Sequence, residues 1–374
     1  MKQKIKRVLV APDKFKGSLS AMEVCQAIAE GITHALPTVQ CDLVPMADGG
    51  DGSVAVLADA LGLEEIRLMV EDPLGRSIAA SYYRSEDAAF VEMAVASGLV
   101  LLRPNERNPL ETSSFGTGML IRHALESGLS RVYLFLGGSA TNDAGMGIAE
   151  ALGFRFLGRN GESVSASGDN LGKVVHIMPP TTGILETAEI VCMCDVMNPL
   201  LGENGASHVY AQQKGATPAM VRQLEAGMVQ FARRLQSFSD KPVGTLVGGG
   251  AAGGIAAGLV ALCNADIRSG MEAIQRWMKL ENRLQEADLV ITGEGKLDTQ
   301  TLEGKVVDGV LSLAARYKKE TLLIVGVNAL SHFPDTKYPP STVLAVMDMA
   351  PNEESAMNQA GDFIATLLKN HFEQ

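Results

Sequence analysis

Val132-Tyr133-Leu134-Phe135-Leu136 runs straight into Gly137-Gly138-Ser139-Ala140-Thr141-Asn142-Asp143-Ala144-Gly145, and a helix of small residues follows. An apolar run, a polar glycine loop and a helix, in that order, describe one βα step of an open α/β sheet. Such sheets bind ligands beyond the carboxyl ends of their strands. Glycines let the backbone approach an anion, and the next helix presents free N–H groups to it. The loop also carries two hydroxyls, an amide and a carboxylate, more polar chemistry than turning the chain requires.

The same rhythm runs outward to both ends. Ile5–Ala11 reads as a strand, and Ser18 and Ser20 offer caps for a helix reaching about Ile32. Val39–Val44 is a second strand, Ala47–Gly52 a loop, and Ser53–Leu61 a helix stopped by Gly62. Near Asp72-Pro73-Leu74-Gly75 the pattern changes. Ser77–Arg84 and Ala88–Met93 are two strands joined closely enough to be antiparallel. The middle of the chain is rich in glycine loops. A helix over Met271–Glu286 with the single Trp277, a short strand Asp288–Thr292, a helix Val306–Tyr317 and strands Thr321–Val325 and Thr342–Val346 restore the α/β order. This predicts one α/β domain built from residues 1–75 and 287–374, with a second α/β domain, residues 76–286, inserted between them.

Composition narrows the function. At 374 residues, 46% hydrophobic and 20% charged, the chain is long enough for about two globular domains. The net charge of −11 argues against a nucleic-acid partner. No apolar stretch is long enough to cross a membrane, and nothing near Met1 resembles a signal peptide, so a cytoplasmic protein is expected. The five cysteines make no disulfide framework; Cys192 and Cys194 read as buried thiols. The six histidines form no zinc spacing.

Two further loops repeat the plan of glycine and acid after an apolar run: Pro45–Gly52, with Asp48 and Asp51, and Ile291–Asp298, with Glu294 and Asp298. Loops at strand ends pool their residues into one site. Asp195 follows another apolar run and is available as a base or a metal ligand. Lys14 and Lys16 precede a helix N-terminus, where a bound anion relieves the unfavourable dipole. Lys214 stands beside another helix start, and Lys296 and Lys305 flank Asp298. Gly248–Gly253 matches G-x-G-x-x-G, but no clear strand closes a βαβ unit after it, so close packing or anion contact explains it better than a dinucleotide. There is no P-loop, no protein-kinase signature and no nucleophile elbow.

Taken together, Pro12–Ser20, Ala47–Gly52, Gly137–Asp143, Cys194–Leu200, Gln213–Ala216 and Ile291–Asp298 resemble, in this order, the motifs of bacterial class I glycerate kinases. Lys14 stands where that family often has Ser, Asp51 where it often has Glu, and Ala144 where Gly is common. The resemblance implies ATP-dependent phosphorylation of D-glycerate to 2-phosphoglycerate. It implies two α/β domains, a Rossmann-like one formed by both termini and an inserted flavodoxin-like or mixed one, with the site in the cleft between them. ATP brings Mg²⁺, for which Asp48, Asp51, Glu294 and Asp298 are the candidate ligands. Asp195 is the first candidate for the base that takes the glycerate proton, and Asp143 the second. Lys16 joins them as a catalytic cation, neutralising charge on the transferred group, a role open to Lys214 and Lys296 too. Ser139, Thr141, Asn142, Asn198, Lys214, Gly249, Gly250 and Lys296 are the expected substrate and phosphate contacts, and Arg268 is a candidate for the glycerate carboxylate. A monomer or homodimer is expected. The alternatives are a kinase yielding 3-phosphoglycerate, an NAD-dependent dehydrogenase, or a nucleotide-binding regulator without turnover.

Overall fold

A computed structural model describes residues 5–298, 301, 306–330 and 338–373. Lys305 lies outside them. In chain order the elements are β1 (Arg7–Val10), α1 (Ala21–Ala35), β2 (Gln40–Leu43), α2 (Ser53–Leu61), β3 (Glu64–Glu71), β4 (Ser77–Arg84), β5 (Ala88–Glu92), α3 (Ala94–Ser97), α4 (Phe115–Glu126) and β6 (Arg131–Phe135). There follow α5 (Met146–Ala151), β7 (Arg155–Leu157), β8 (His176–Met178), β9 (Glu189–Met193), α6 (Ala206–Tyr210), α7 (Pro218–Ser239), α8 (Ala251–Leu262) and β10 (Asp266–Arg268). The last stretch holds α9 (Gly270–Trp277), α10 (Leu280–Glu286), β11 (Leu289–Leu297), α11 (Val306–Arg316), β12 (Glu320–Asn328), β13 (Thr342–Ala345), α12 (Glu353–Asn358) and α13 (Ala360–Glu373).

The chain divides into two compact units, one of residues 1–48 with 271–374 and one of residues 49–270. The terminal unit holds a five-stranded sheet of order β13-β12-β11-β1-β2, parallel throughout. Period-two alternation splits its apolar side chains between two faces. Leu322 and Ile324 join Val8, Val10 and Ile291 under α1 and α13, while Leu323 and Val325 join Leu297 under α11. Numbered along the chain, this order is 2-1-3-4-5, the flavodoxin-like arrangement, where a Rossmann-like one was expected. The order reverses between β1 and β11, which sets the crevice of this sheet at their carboxyl ends.

The inserted unit holds a six-stranded sheet, β10-β9-β6-β5-β4-β3. β5, β6, β9 and β10 run parallel, and β3 and β4 extend the edge as antiparallel strands. Its core gathers Leu120 and Ile121 of α4, Ile148 of α5, Phe231 of α7 and Leu259 of α8 around Val132, Leu134 and Cys192. Residues 64–71 belong to this sheet because β3 pairs with β4 from Glu64↔Arg84 to Glu71↔Ser77. With that pairing the unit begins near residue 49 rather than at 76.

Three local expectations change. The helix expected over 271–286 is two helices, broken at Lys279 with φ +53°. The loop expected after Thr292 is strand: β11 continues to Leu297 because β12 is equally long and pairs with it as far as Leu297↔Asn328. A short strand, β10, does follow the Gly248–Gly253 segment.

Candidate functional site

In the terminal unit, the carboxyl ends of β1, β2 and β11 carry Asp13, Asp48 and Glu294. Asp13 is partly buried, and its carboxyl is raised to about 7, first by burial and then by the charges of Asp48 and Glu294. Lys14, also partly buried, opposes that shift. Lys16 is exposed on the same loop, whose backbone passes against Gly295 of β11. Lys296 and Asp298 form an ion pair of 3.5 Å at the surface. Asp13 was missed in the sequence, although it stands at a strand end as Asp48 does. Among the described residues, no group of three or more His, Cys, Asp or Glu side chains is arranged to hold a metal ion. The donor set nevertheless suits Mg²⁺, a hard cation that needs only one or two carboxylates and keeps water elsewhere.

In the inserted unit, four loops and one lysine meet at the carboxyl ends of β5, β6 and β9. The 137–145 loop is tied down on several sides. Leu99 N donates to Gly138 O at 2.8 Å, Ala140 N to Ser97 O at 2.9 Å, and Ala144 N to Gly253 O at 3.1 Å. Gly137 lies so close to the Gly50–Asp51 backbone that a Cβ on it would fall 2.5 Å from Asp51 N. Asp51 is exposed beside Gly138 and shares its surroundings with buried Glu92. Glu92 accepts a hydrogen bond from Gly52 N at the start of α2, a helix without a side-chain cap of its own. Burial first, then the Asp51 charge, raises Glu92 to about 7 against that bond.

Asp143 is fully buried and its oxygens are taken. Oδ2 accepts from Ser114 N at 2.8 Å, Ser114 Oγ at 2.7 Å and Gly147 N at 3.2 Å, and Oδ1 from Gly145 N at 3.2 Å. Burial holds this carboxyl above the usual carboxylate range, and the four donors work against it. Asp143 therefore ties the starts of α4 and α5 to the loop, an anchor rather than the second base that was expected.

Lys214 is 1% exposed. Its Nζ donates to Ser139 Oγ at 2.8 Å and to Thr141 O at 2.6 Å, both neutral acceptors. Burial lowers its pKa to about 7, with the Asp143 charge opposing. Beside it the Thr141 hydroxyl and the Asn142 side-chain carbonyl are buried without a hydrogen-bond partner, while Asn142 Nδ2 donates to Ser207 Oγ at 3.4 Å.

Asp195 is partly exposed, just beyond β9. Ser269 Oγ donates to its Oδ1 at 2.5 Å. Asn198 faces its own loop: Nδ2 donates to Asn204 O at 2.9 Å and Oδ1 accepts from Tyr210 OH at 2.6 Å. The expected phosphate cradle at Gly249 and Gly250 is already spent. Gly249 N donates to Leu246 O and Gly250 N to Asn198 O, each at 2.9 Å, and both residues are buried. Their lack of a side chain serves packing, since a Cβ on Gly250 would lie 2.4 Å from Pro199 O. Arg268 pairs with Asp266 at 3.0 Å and Glu189 at 3.6 Å rather than standing open to a carboxylate. A cavity of about 370 Å³ lined by Glu65, Arg67, Ser81, Tyr83 and Glu92 includes none of the expected site residues.

Comparison with known proteins places this geometry. The sequence pattern of the Glycerate kinase family matches residues 8–373. A glycerate kinase from Halalkalibacterium halodurans is 41% identical over 85% of each chain. A glycerate 2-kinase from Escherichia coli K12 is 41% identical over 86% of this chain and 85% of its own. A crystal structure from Salmonella typhimurium LT2, of a protein assigned as glycerate kinase 2, superposes with a TM-score of 0.86 at 38% identity, covering 99% of this chain and 98% of that one. With its motifs, its α/β architecture and these relatives in agreement, the chain belongs to the glycerate kinase family.

Proposed function

We propose that this chain transfers the γ-phosphoryl group of ATP to the 2-hydroxyl of D-glycerate, giving 2-phosphoglycerate and ADP. What supports the reading is that Asp51 lies beside Gly138, Lys214 donates to Ser139 of the same loop and Asp195 lies against Gly49, in a chain 41% identical to a glycerate 2-kinase. Phosphoryl transfer asks for positioning and charge neutralisation rather than covalent chemistry, and this set supplies both.

Asp195 takes the hydroxyl proton as the new O–P bond forms and the bond from the γ-phosphorus to ADP breaks. It is partly exposed and is held at one oxygen by Ser269. Lys214, under Ser139, neutralises an anionic group of the substrates; an anion arriving there favours its protonated form. Lys16 and Lys296, exposed at the carboxyl ends of the other sheet, meet the phosphates. Asp48 and Glu294, both in the terminal unit, would hold Mg²⁺, which when bound would neutralise the phosphate oxygens. No helix among the described residues is long and apolar enough to cross a membrane. We read it as a cytoplasmic enzyme, monomeric or homodimeric, acting on small molecules; its net charge of −11 argues against a nucleic-acid partner.

The test mixes protein, Mg-ATP and D-glycerate and follows ADP, then assigns the product by phosphorus NMR. ADP formed only with glycerate present, and a 2-phosphate resonance, are expected. A 3-phosphate product would correct the position of transfer. ATP bound but not consumed would leave a regulator, and NAD reduction without ADP a dehydrogenase.

A further inference from the structure

β9 and β10 are parallel neighbours with Met193 opposite Arg268, and Cys194 N continues the ladder to Arg268 O at 3.0 Å. Continued past the last paired residues, that register sets Cys194 opposite Ser269 and Asp195 opposite Gly270, so Asp195 lies diagonally beside Ser269. The side chains make use of it: Ser269 Oγ donates to Asp195 Oδ1 at 2.5 Å, within the range of hydrogen bonds from a hydroxyl to a carboxylate. The other oxygen is confined too. A Cβ on Gly49 would meet Asp195 Oδ2 at 3.1 Å and Gly270 Cα at 2.7 Å, so the bare Gly49 backbone, at φ +81°, closes the far side. Asp195 is thus held at one oxygen by a hydroxyl and crowded at the other by backbone, although its own loop carries exposed Val196 and Met197.

A serine just before a helix ordinarily serves as a cap, and capping uses its oxygen as acceptor. Donation of the hydroxyl hydrogen to Asp195 is a separate interaction, and helix α9 gains nothing from it. Left to itself, a carboxylate turns freely about its last bond. A donated hydrogen bond stops that rotation and favours the ionised form. Both effects matter to a group that must accept a proton along one direction.

We propose that Ser269 is a positioning residue for phosphoryl transfer, holding the Asp195 carboxylate aimed at the substrate hydroxyl. The inference rests on the reading of Asp195 as the base. In the intact enzyme, Ser269→Ala is expected to lower kcat about 5- to 30-fold, with KM for ATP and glycerate unchanged within about twofold. The acid limb of the kcat profile should move up by about 0.5 to 1 pH unit, because the carboxylate loses a donor. Ser269→Thr keeps the hydroxyl and should restore both readouts, which a packing or capping role would not link to pH. Asp195→Asn should lose at least about a hundredfold in kcat, and adding Ser269→Ala to it should cost nothing more. If Asp195→Asn turns over fully, the base reading fails and the role of Ser269 goes with it. If Asp195→Asn is impaired but Ser269→Ala keeps the wild-type kcat and acid limb, the positioning role alone is overturned. A loss confined to KM, or an equal loss in Ser269→Thr, overturns it as well. Melting curves of each variant establish that the compared enzymes are folded.

Discussion

Lys214 shows how far one buried side chain departs from its ordinary chemistry. A lysine is normally exposed and charged, yet this one meets two neutral oxygens in a dry setting. Its pKa falls from 10.5 to about 7. The unfolded chain therefore holds a proton that the folded protein releases between those values, so this residue makes stability rise with pH across that window. Lys214→Met abolishes the linkage. The melting temperature of the wild type, relative to the variant, should climb from pH 7 toward pH 10; a constant difference would show that the folded lysine stays charged. Asp143 permits a complementary test. Asp143→Asn replaces an acceptor of four bonds by a group that must present two N–H donors to other donors. A loss of about 2–3 kcal/mol in urea unfolding is expected, with the kcat of the folded fraction nearly unchanged. A kcat collapse at unaltered stability would return Asp143 to the chemistry.

Among the elements, α8 best separates what a sequence displays from what it conceals. Its glycines and alanines announce close packing, and the packing is there, but the path is not a regular helix. Ala252, Gly253 and Gly254 are left-handed, with φ of 54°, 71° and 91°. A Cβ on Gly253 would lie 2.1 Å from Thr141 O, against the 137–145 loop. Gly62, which ends α2 at φ +63°, faces open space. The two positions share a backbone strain and differ in crowding. Gly62→Ala should cost about 1–2 kcal/mol, and Gly253→Ala clearly more, with loss of kinase activity in the second alone. Equal costs would mean that α8 yields easily. Strands and helices with strong local signals, such as α1 after its Ser20 cap and α2 stopped by Gly62, were legible in the sequence. The extension of β11 was not, because Gly293 and Gly295 look like loop until β12 pairs beside them. Nor was Ser269, whose importance arises only from lying one step past a strand of three residues.

For the whole molecule, the two units differ in how the chain supplies them. The inserted unit is continuous, residues 49–270, and has its own core. Expressed alone, it should melt in one cooperative transition and retain the far-UV signal of a mixed α/β fold; a molten, noncooperative product would show that it depends on the rest of the chain. Its tryptophan signal should be absent, since Trp277 lies in the terminal unit. The terminal sheet has no such independence. β1 is an interior strand with β2 on one side and β11 on the other. On the ribosome, β1 and β2 emerge before β11, the neighbour on the second side of β1, which begins 246 residues after β2 ends at Leu43. At about 5–20 residues per second, that neighbour arrives some 12 to 50 s later. For that interval the nascent chain carries an exposed, apolar Val8-Leu9-Val10 edge while the inserted unit completes itself downstream. The order of synthesis thus runs opposite to the order of completion: the strand made before the inserted unit is finished only after it.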